Sequence, residues 1–188
     1  LFAGDYATFE ETAKEVAKVL NSYETVISGD PGAVAVMAEK FPEAGAELKP
    51  RLLHTAEWLA EQAREGRIEF GDKTEERVMY HDPCYMSKYL NATEQPRFLM
   101  EKMYYPGNMI EFSWAKDKNY CCGGGGLLPV SASDTSMKIA KKRLDEFYEA
   151  KPDILLTSCP TCERTFRKAD PEIVVTDIVT AVFSHLKM

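Results

Sequence analysis

The sequence predicts an α/β protein made of two pseudo-repeated βα units with short parallel sheets. Three observations carry that expectation. Short apolar or β-branched runs alternate with segments whose apolar residues recur at helical spacing. The cysteines fall at or just beyond the C-terminal ends of predicted strands, the edge at which parallel sheets gather ligands. The last third of the chain can also be laid on the first with its proline turns in register.

Taken in order, Thr8-x-x-Glu11 reads as a capping box opening a helix over residues 8–20, with Ala13, Val16, Ala17 and Leu20 on one face. Thr25–Ser28 is a β-branched strand, and Gly29-Asp30-Pro31-Gly32 turns it into a helix over 32–40. Pro42, Gly45 and Pro50 predict a loop, after which Thr55 caps a helix through Trp58, Leu59 and Ala63 that ends at Gly66. Residues 67–76 are charged and predict a linker. Arg77–Tyr80 is a strand delivering His81-Asp82-Pro83-Cys84 at its end, Pro96 opens a helix through Met103, and Met109–Phe112 is a third strand. A polar loop at Lys116–Asn119 leads to Cys121. Ser133 or Asp134 caps a helix through Ile139, Leu144 and Phe147, and Ile154–Thr157 is a strand running into Cys159. Ile173–Val175 is a last strand, and Asp177 caps a terminal helix through Val179, Val182 and Leu186.

The repeat sets Val26–Ala33 against Leu155–Cys162, Pro42-Glu43 against Pro171-Glu172, and Leu52–Thr55 against Val174–Asp177. It predicts residues 1–66 as the C-terminal part of a first copy and 77–188 as a complete second copy. In the first copy Asp30 and Ala33 stand where the second has Cys159 and Cys162, so the copies are not equivalent.

Composition narrows the function classes. A net charge of −7 argues against non-specific nucleic-acid binding, which needs clustered lysine and arginine. No run of 18 apolar residues predicts a membrane span. No signal peptide is expected, and an opening Leu in place of Met reads as a processed or truncated start. All five cysteines belong to one pattern, with 36 residues between Cys84 and Cys121, 36 between Cys122 and Cys159, and a CxxC closing at Cys162. An odd count with two adjacent members is a poor disulfide framework, and suits ligand or redox work in a reducing, cytoplasmic compartment.

Thiolates select soft metals: iron–sulfur clusters, zinc or copper(I). Zinc takes four tetrahedral ligands, and five thiols with an adjacent pair exceed that. Adjacent side chains aim poorly at one ion but can reach two irons of a larger cluster. Gly123 and Gly124 at the head of Gly123–Gly126 allow close backbone approach, and their N–H groups can face sulfide. The Cys159-Pro160-Thr161-Cys162 turn at a helix start favours thiolate. A zinc site and a thioredoxin-like redox CxxC stay open as alternatives, although only 26 residues follow Cys162, too few to finish a thioredoxin-like domain. The glycine run lacks the Gly-Lys-Ser/Thr of a phosphate loop. His81, three residues before Cys84, is the one catalytic candidate, able to hydrogen-bond the site or carry protons. Tyr85, Lys88 and Tyr120 are candidates to line it; His54 belongs to a helix start and His185 to the surface. Met100, Met103 and Trp58 read as core, and Glu10, Glu11, Glu57 and Glu61 as a solvated helix face.

His81-Asp82-Pro83-Cys84, Cys121-Cys122 with its four glycines, and Ser158–Cys162 resemble the cysteine-rich CCG domain found in the catalytic subunit of heterodisulfide reductase, in both its separate and its fused form. That domain is shared with the iron–sulfur subunits of glycolate and lactate oxidases. The resemblance spans residues 77–188, and residues 5–66 are similar to the end of a preceding CCG domain. It implies a 4Fe–4S cluster, non-cubane in the reductase, on Cys84, Cys121, Cys122, Cys159 and Cys162, with zinc in one branch of the family. It implies a subunit of a redox complex with flavin, ferredoxin-like, or membrane quinone or cytochrome partners, peripheral on the membrane through a partner, and a thiol or disulfide as possible substrate. The reductase uses two such clusters face to face; Asp30 and Ala33 leave this chain with one.

Overall fold

The computed structural model describes residues 1 and 3–187. The N-terminal part runs α1 (Tyr6–Leu20), β1 (Thr25–Ser28), α2 (Pro31–Glu43), β2 (Arg51–His54) and α3 (Thr55–Arg64). β1 and β2 pair in parallel, Val26 opposite Leu52 and Ser28 opposite His54. The remainder runs β3 (Val78–His81), α4 (Cys84–Lys88), α5 (Glu94–Met103), β4 (Met109–Glu111), α6 (Leu128–Ser131), α7 (Ser133–Ala150), β5 (Ile154–Thr157), α8 (Pro160–Ala169), β6 (Val175–Asp177) and α9 (Ile178–Ser184). Its strands form a parallel sheet in the order β4-β3-β5-β6.

The pleat sends alternate side chains to opposite faces, and parallel strands bury both. Val78, Tyr80 and Leu156 meet Leu59 of α3, Leu99 and Met103 of α5, and Ile178 and Val182 of α9. Met79, Leu155 and Val175 meet Ala140, Leu144 and Phe147 of α7 and Phe166 of α8. Each such fully buried side chain stabilises the fold by about 1.5–3 kcal/mol. Because α3 packs in the first of these cores, the N-terminal unit is joined to the larger sheet through apolar contact as well as through the chain. Ala13, Ala17 and Phe41 form a separate small core between α1 and α2.

The strands Thr25–Ser28 and Ile154–Thr157 have the bounds the sequence predicts. Several other expectations are corrected. α1 starts at Tyr6, not Thr8, because Asp5 supplies the cap and accepts the Thr8 N–H at 3.1 Å. α2 continues through Pro42, which in the last turn gives up only its own N–H. β2 is a strand that the mixed run Arg-Leu-Leu-His did not announce, and α3 is capped by His54, one residue before the expected Thr55. β3 is shifted one residue to Val78–His81, β4 stops at Glu111, and β6 is Val175–Asp177. α5 begins at Glu94 with Pro96 inside its first turn, and α7 has neither Ser133 nor Asp134 as a side-chain cap. Lys116–Lys118 forms a 3-10 turn within the expected polar loop, and α4 and α6 are additional short helices. α9 ends at Ser184, short of Leu186, while Asp177 caps it by accepting the Val179 N–H at 2.8 Å.

The charged stretch over 67–76 is pinned along the larger unit, with Gly71 N–H donating to His185 O at 2.8 Å and Thr74 N–H to Met103 O at 3.0 Å. His185 is half-buried there, its ring against Tyr104. The sheet pairings also reset the alignment of the two units. With Val26 set on Leu155, Leu52 falls on Val175 and His54 on Asp177, one residue from the match drawn on sequence alone.

Candidate metal centre

Three neighbouring strands, β4, β3 and β5, each send a cysteine segment off the same sheet edge. Cys84 opens α4 directly after β3, Cys121-Cys122 follows β4 through the 3-10 turn, and Cys159 is the N-cap of α8 after β5. All five thiols line one cavity of about 380 Å³. Its opposite wall comes from the N-terminal unit, with Asp30, Ala33 and Val36 at the start of α2. Cys122, Cys159 and Cys162 are buried, Cys84 is half-buried and Cys121 is exposed.

The sulfurs touch in sequence: Cys84 to Cys121, Cys121 to Cys122, Cys122 to Cys162, and Cys162 to Cys159. Hydrogen bonds from the Cys122 and then the Cys84 thiol push Cys121 down to about 2. The Cys162 thiol lowers Cys159, and the backbone N–H groups of Cys162 and Thr161 at the head of α8 lower it further. Cys84 and Cys122 are raised, each chiefly by the Cys121 thiolate, and Cys162 is raised by donating to Cys122 and Cys159. The five sulfurs thus form one connected group that shares its protons, and ligation of a soft cation would displace those that remain.

The glycines shape the floor. Gly123 N–H donates to Cys121 Sγ at 3.3 Å and Gly124 N–H to Cys122 Sγ at 3.4 Å. Gly123 sits at φ +84°, where a Cβ would lie 2.6 Å from Ser136 O. A Cβ on Gly124 would lie 2.2 Å from Thr165 Oγ1 and 2.9 Å from Thr161 Cγ2. Soft donors in excess of four, N–H groups on sulfur and a cradle closed to any Cβ fit a sulfur-bridged iron cluster.

Charged residues that periodicity assigns to the surface hold these segments. Arg97 of α5 donates to both Asp82 oxygens at 2.9 Å and to Glu111 of β4 at 2.6 and 2.7 Å. Asp82 in turn accepts the Lys116 N–H at 2.8 Å, and Asn119 Nδ2 donates to Asp82 O at 2.6 Å. One buried ion pair therefore clamps the turn bearing Cys84 to the loop bearing Cys121. Tyr80 and Ser158 share a buried hydroxyl hydrogen bond at 2.9 Å that ties β3 to the Cys159 turn. The sequence names Asp82 only as part of the His81–Cys84 motif, and Arg97, Asn119 and Arg143 carried no signal of a role here.

His81 is fully buried beside the thiols, with a ring nitrogen within 4.8 Å of the Cys122 and Cys162 sulfurs. Desolvation, then the Arg143 charge, pushes its pKa down to about 3, so the imidazole is neutral. Tyr85 lines the thiol cavity. Tyr120 lines a second, more open groove of about 760 Å³, stacked near Trp114 and reached by Cys121; Lys88 lines neither. His54 is buried at the head of α3, accepting the Ala56 N–H on Nδ1 and donating its Nε2–H to Gly29 O at 3.1 Å. Glu57 is not simply solvated, since it closes the His54 capping box, and Glu61 pairs with Arg51.

Residues 78–167 match the family model of the CCG cysteine-rich domain. One subunit of the dihydromethanophenazine:CoB–CoM heterodisulfide reductase of Methanosarcina acetivorans is 28% identical over 149 residues, 76% of this chain and 36% of its own length. One subunit of the fumarate reductase (CoM/CoB) of Methanothermobacter marburgensis is 26% identical over 160 residues, 85% of this chain and 31% of its own length. The EtfAB:quinone oxidoreductase of Syntrophomonas wolfei is 23% identical over 168 residues, 85% of this chain and 23% of its own length. The chain thus spans well under half the length of each of these relatives.

Proposed function

We propose, from the premise that residues 78–167 are a CCG cysteine-rich domain, that this chain holds one iron–sulfur cluster and serves as the iron–sulfur subunit of a heterodisulfide-reductase-like oxidoreductase. The observation that carries the reading is the convergence of all five thiols on one cavity, with glycine N–H groups already aimed at two of the sulfurs. Cys84, Cys121, Cys122, Cys159 and Cys162 are its ligands and Gly123 and Gly124 its backbone cradle. A bound 4Fe–4S cluster, cubane or non-cubane, supplies one-electron transfer at potentials set by burial and hydrogen bonds to sulfur.

The chain's own residues do the rest. Gly123, Gly124 and the head of α8 stabilise negative charge on sulfur. Val36, Ala33 and Leu127 keep the inner cavity apolar, which strengthens every electrostatic contact inside it. Exposed Cys121 leaves one ligand reachable from the groove beside Trp114 and Tyr120, where a thiol or disulfide or a partner's redox group can approach. The donor and acceptor are flavin, ferredoxin-like, or quinone- or cytochrome-bearing subunits, and no nucleic acid is involved. Any membrane association is assigned to a partner subunit; among the described residues no helix is long and apolar enough to cross a membrane.

A zinc-stapled interaction module is the second reading, favoured by the His81, Cys122 and Cys162 grouping, which could supply three of four tetrahedral ligands. Anaerobic iron, zinc and acid-labile sulfide analysis of the purified protein separates the two. About four irons with matching sulfide per chain supports the cluster; one zinc without sulfide overturns it.

A further inference from the structure

Two buried polar atoms on the paired strand ends that lead into the thiol segments, His81 Nε2 and Thr157 Oγ1, have no partner among the described residues. His81 Nε2 makes no hydrogen bond among the described residues, although the ring is wholly enclosed. Native folds leave few buried polar atoms unpaired, so the partner of Nε2 is expected to be something the site receives. The ring is not free to turn away. It lies edge-on to Phe166 at 4.9 Å and to Phe112 at 6.3 Å.

The other nitrogen fixes which hydrogen the ring carries. Arg143 Nε donates to His81 Nδ1 at 3.4 Å. A guanidinium has donors only, so Nδ1 must present its lone pair. A neutral imidazole with an unprotonated Nδ1 carries its hydrogen on Nε2. Arg143 itself is held rigidly, with Nη2 on Trp114 O at 2.8 Å and the guanidinium 3.6 Å over the Phe112 ring. Its side chain is buried, and its nearest carboxylate, on Glu146, is 3.9 Å away. One nitrogen of the ring lies within 4.8 Å of the Cys122 and Cys162 sulfurs, and with Nδ1 taken by Arg143 the hydrogen that the ring can offer there is the one on Nε2.

We propose that His81 donates its Nε2–H to sulfur of the group bound by the five cysteines, and that Arg143 is the positioning residue that holds the imidazole in the donating tautomer. This rests on the cluster reading above and deepens it. A hydrogen bond to sulfur stabilises the more negative, reduced state, so the donor raises the reduction potential. Gly123 and Gly124 donate to sulfur from the backbone; His81 adds a side-chain donor, which is open to substitution.

The test uses the anaerobically loaded protein and begins with iron and sulfide content; absence of both in the wild type refutes the cluster reading and leaves nothing for His81 to tune. On loaded protein, redox titration followed by EPR is expected to place His81→Phe at a more negative midpoint than wild type at equal iron content. Arg143→Met is expected to shift the same way by less, and His81→Gln, which keeps a side-chain N–H, to recover part of the loss. Electron–nuclear double resonance on protein with ¹⁵N-labelled histidine should show one solvent-exchangeable proton coupled to the cluster, lost in His81→Phe. This measurement stands even if the variants fail to fold. An unchanged midpoint in His81→Phe, no exchangeable histidine proton in the wild type, or a strong coupling of a nitrogen bonded directly to iron would each overturn the proposal.

Discussion

The N-terminal β1-α2-β2-α3 unit and the C-terminal β5-α8-β6-α9 unit use the same frame for different ends. Both pair two parallel strands, both turn from strand to helix through a proline at the first helical position, and both cap the closing helix with the last residue of the second strand. At the first turn Asp30 accepts the Gly32 N–H at 2.8 Å, spending the helix head on an ordinary cap. At the second, Cys159 takes the same place without a side-chain cap hydrogen bond, and the positive helix head lowers its thiol pKa instead. The difference teaches that the frame supplies only a positive helix end and a sheet edge. The site needs, in addition, β3 and β4 on the far side to bring Cys84 and Cys121-Cys122, whereas among the described residues β1 pairs with β2 alone.

The largest break in the comparison is expected from Cys122→Ser. It removes a buried ligand at the centre of the sulfur chain, and bound iron should fall to near zero by metal analysis; retention of iron would mean one of the adjacent cysteines is dispensable. Next comes Arg97→Met, which leaves Asp82 buried without its partner. The expected loss is about 3–5 kcal/mol in urea unfolding, with the cluster more labile to chelators because Cys84 and Cys121 lose their common clamp.

Gly124→Ala should cost about 1–3 kcal/mol through its clash with Thr165 and Thr161, and Thr165→Ala in the same chain should relieve part of it. Gly125→Ala, with nothing within 4 Å, is the control and should stay within about 0.5 kcal/mol.

The two closing caps sharpen the contrast through pH. Burial lowers the His54 pKa, while it raises the Asp177 carboxyl to about 6. An unfolded histidine titrates near about 6.5 and takes up its proton before the folded one, so the His54 contribution is full above that pH and is lost below it. Asp177 acts oppositely, because the folded carboxyl takes up a proton from about pH 6 downward and the unfolded one only near about 4, so it gains stability as pH falls. His81, held near about 3, adds to the histidine side. Urea midpoints should therefore decline below about pH 6.5, more steeply in Asp177→Asn and less steeply in His54→Asn. The smallest effect belongs to the double variant Asp30→Cys with Ala33→Cys. It should lose up to about 1 kcal/mol with the Asp30 cap and bind no additional iron.

The cysteines were legible because they are few, chemically unambiguous and each adjoins a strand end. Thr25–Ser28 and Ile154–Thr157 were legible because β-branched and aliphatic runs meet turn residues on either side. β2 was hidden because Arg51–His54 has no β-branched residue and gains strand geometry only from pairing with β1. α4 is a single turn, too short to show a period. Arg97, Asp82 and Arg143 escaped notice for a deeper reason. A charged residue looks solvated in any one-dimensional pattern, and only the stacking of α5 and α7 on the sheet removes it from water and gives it a partner.

The order β4-β3-β5 has a consequence for how the centre is made. The two gaps of 36 residues separating its ligand segments are already closed by strand pairing. Bringing the ends of such a gap together costs roughly 3 kcal/mol in chain entropy by the logarithmic loop term, and here that cost falls on folding rather than on ligand capture. The ligand edge therefore stands or falls with the sheet, and a change that loosens β3 from β4 or β5 should scatter the thiols as surely as the loss of a cysteine.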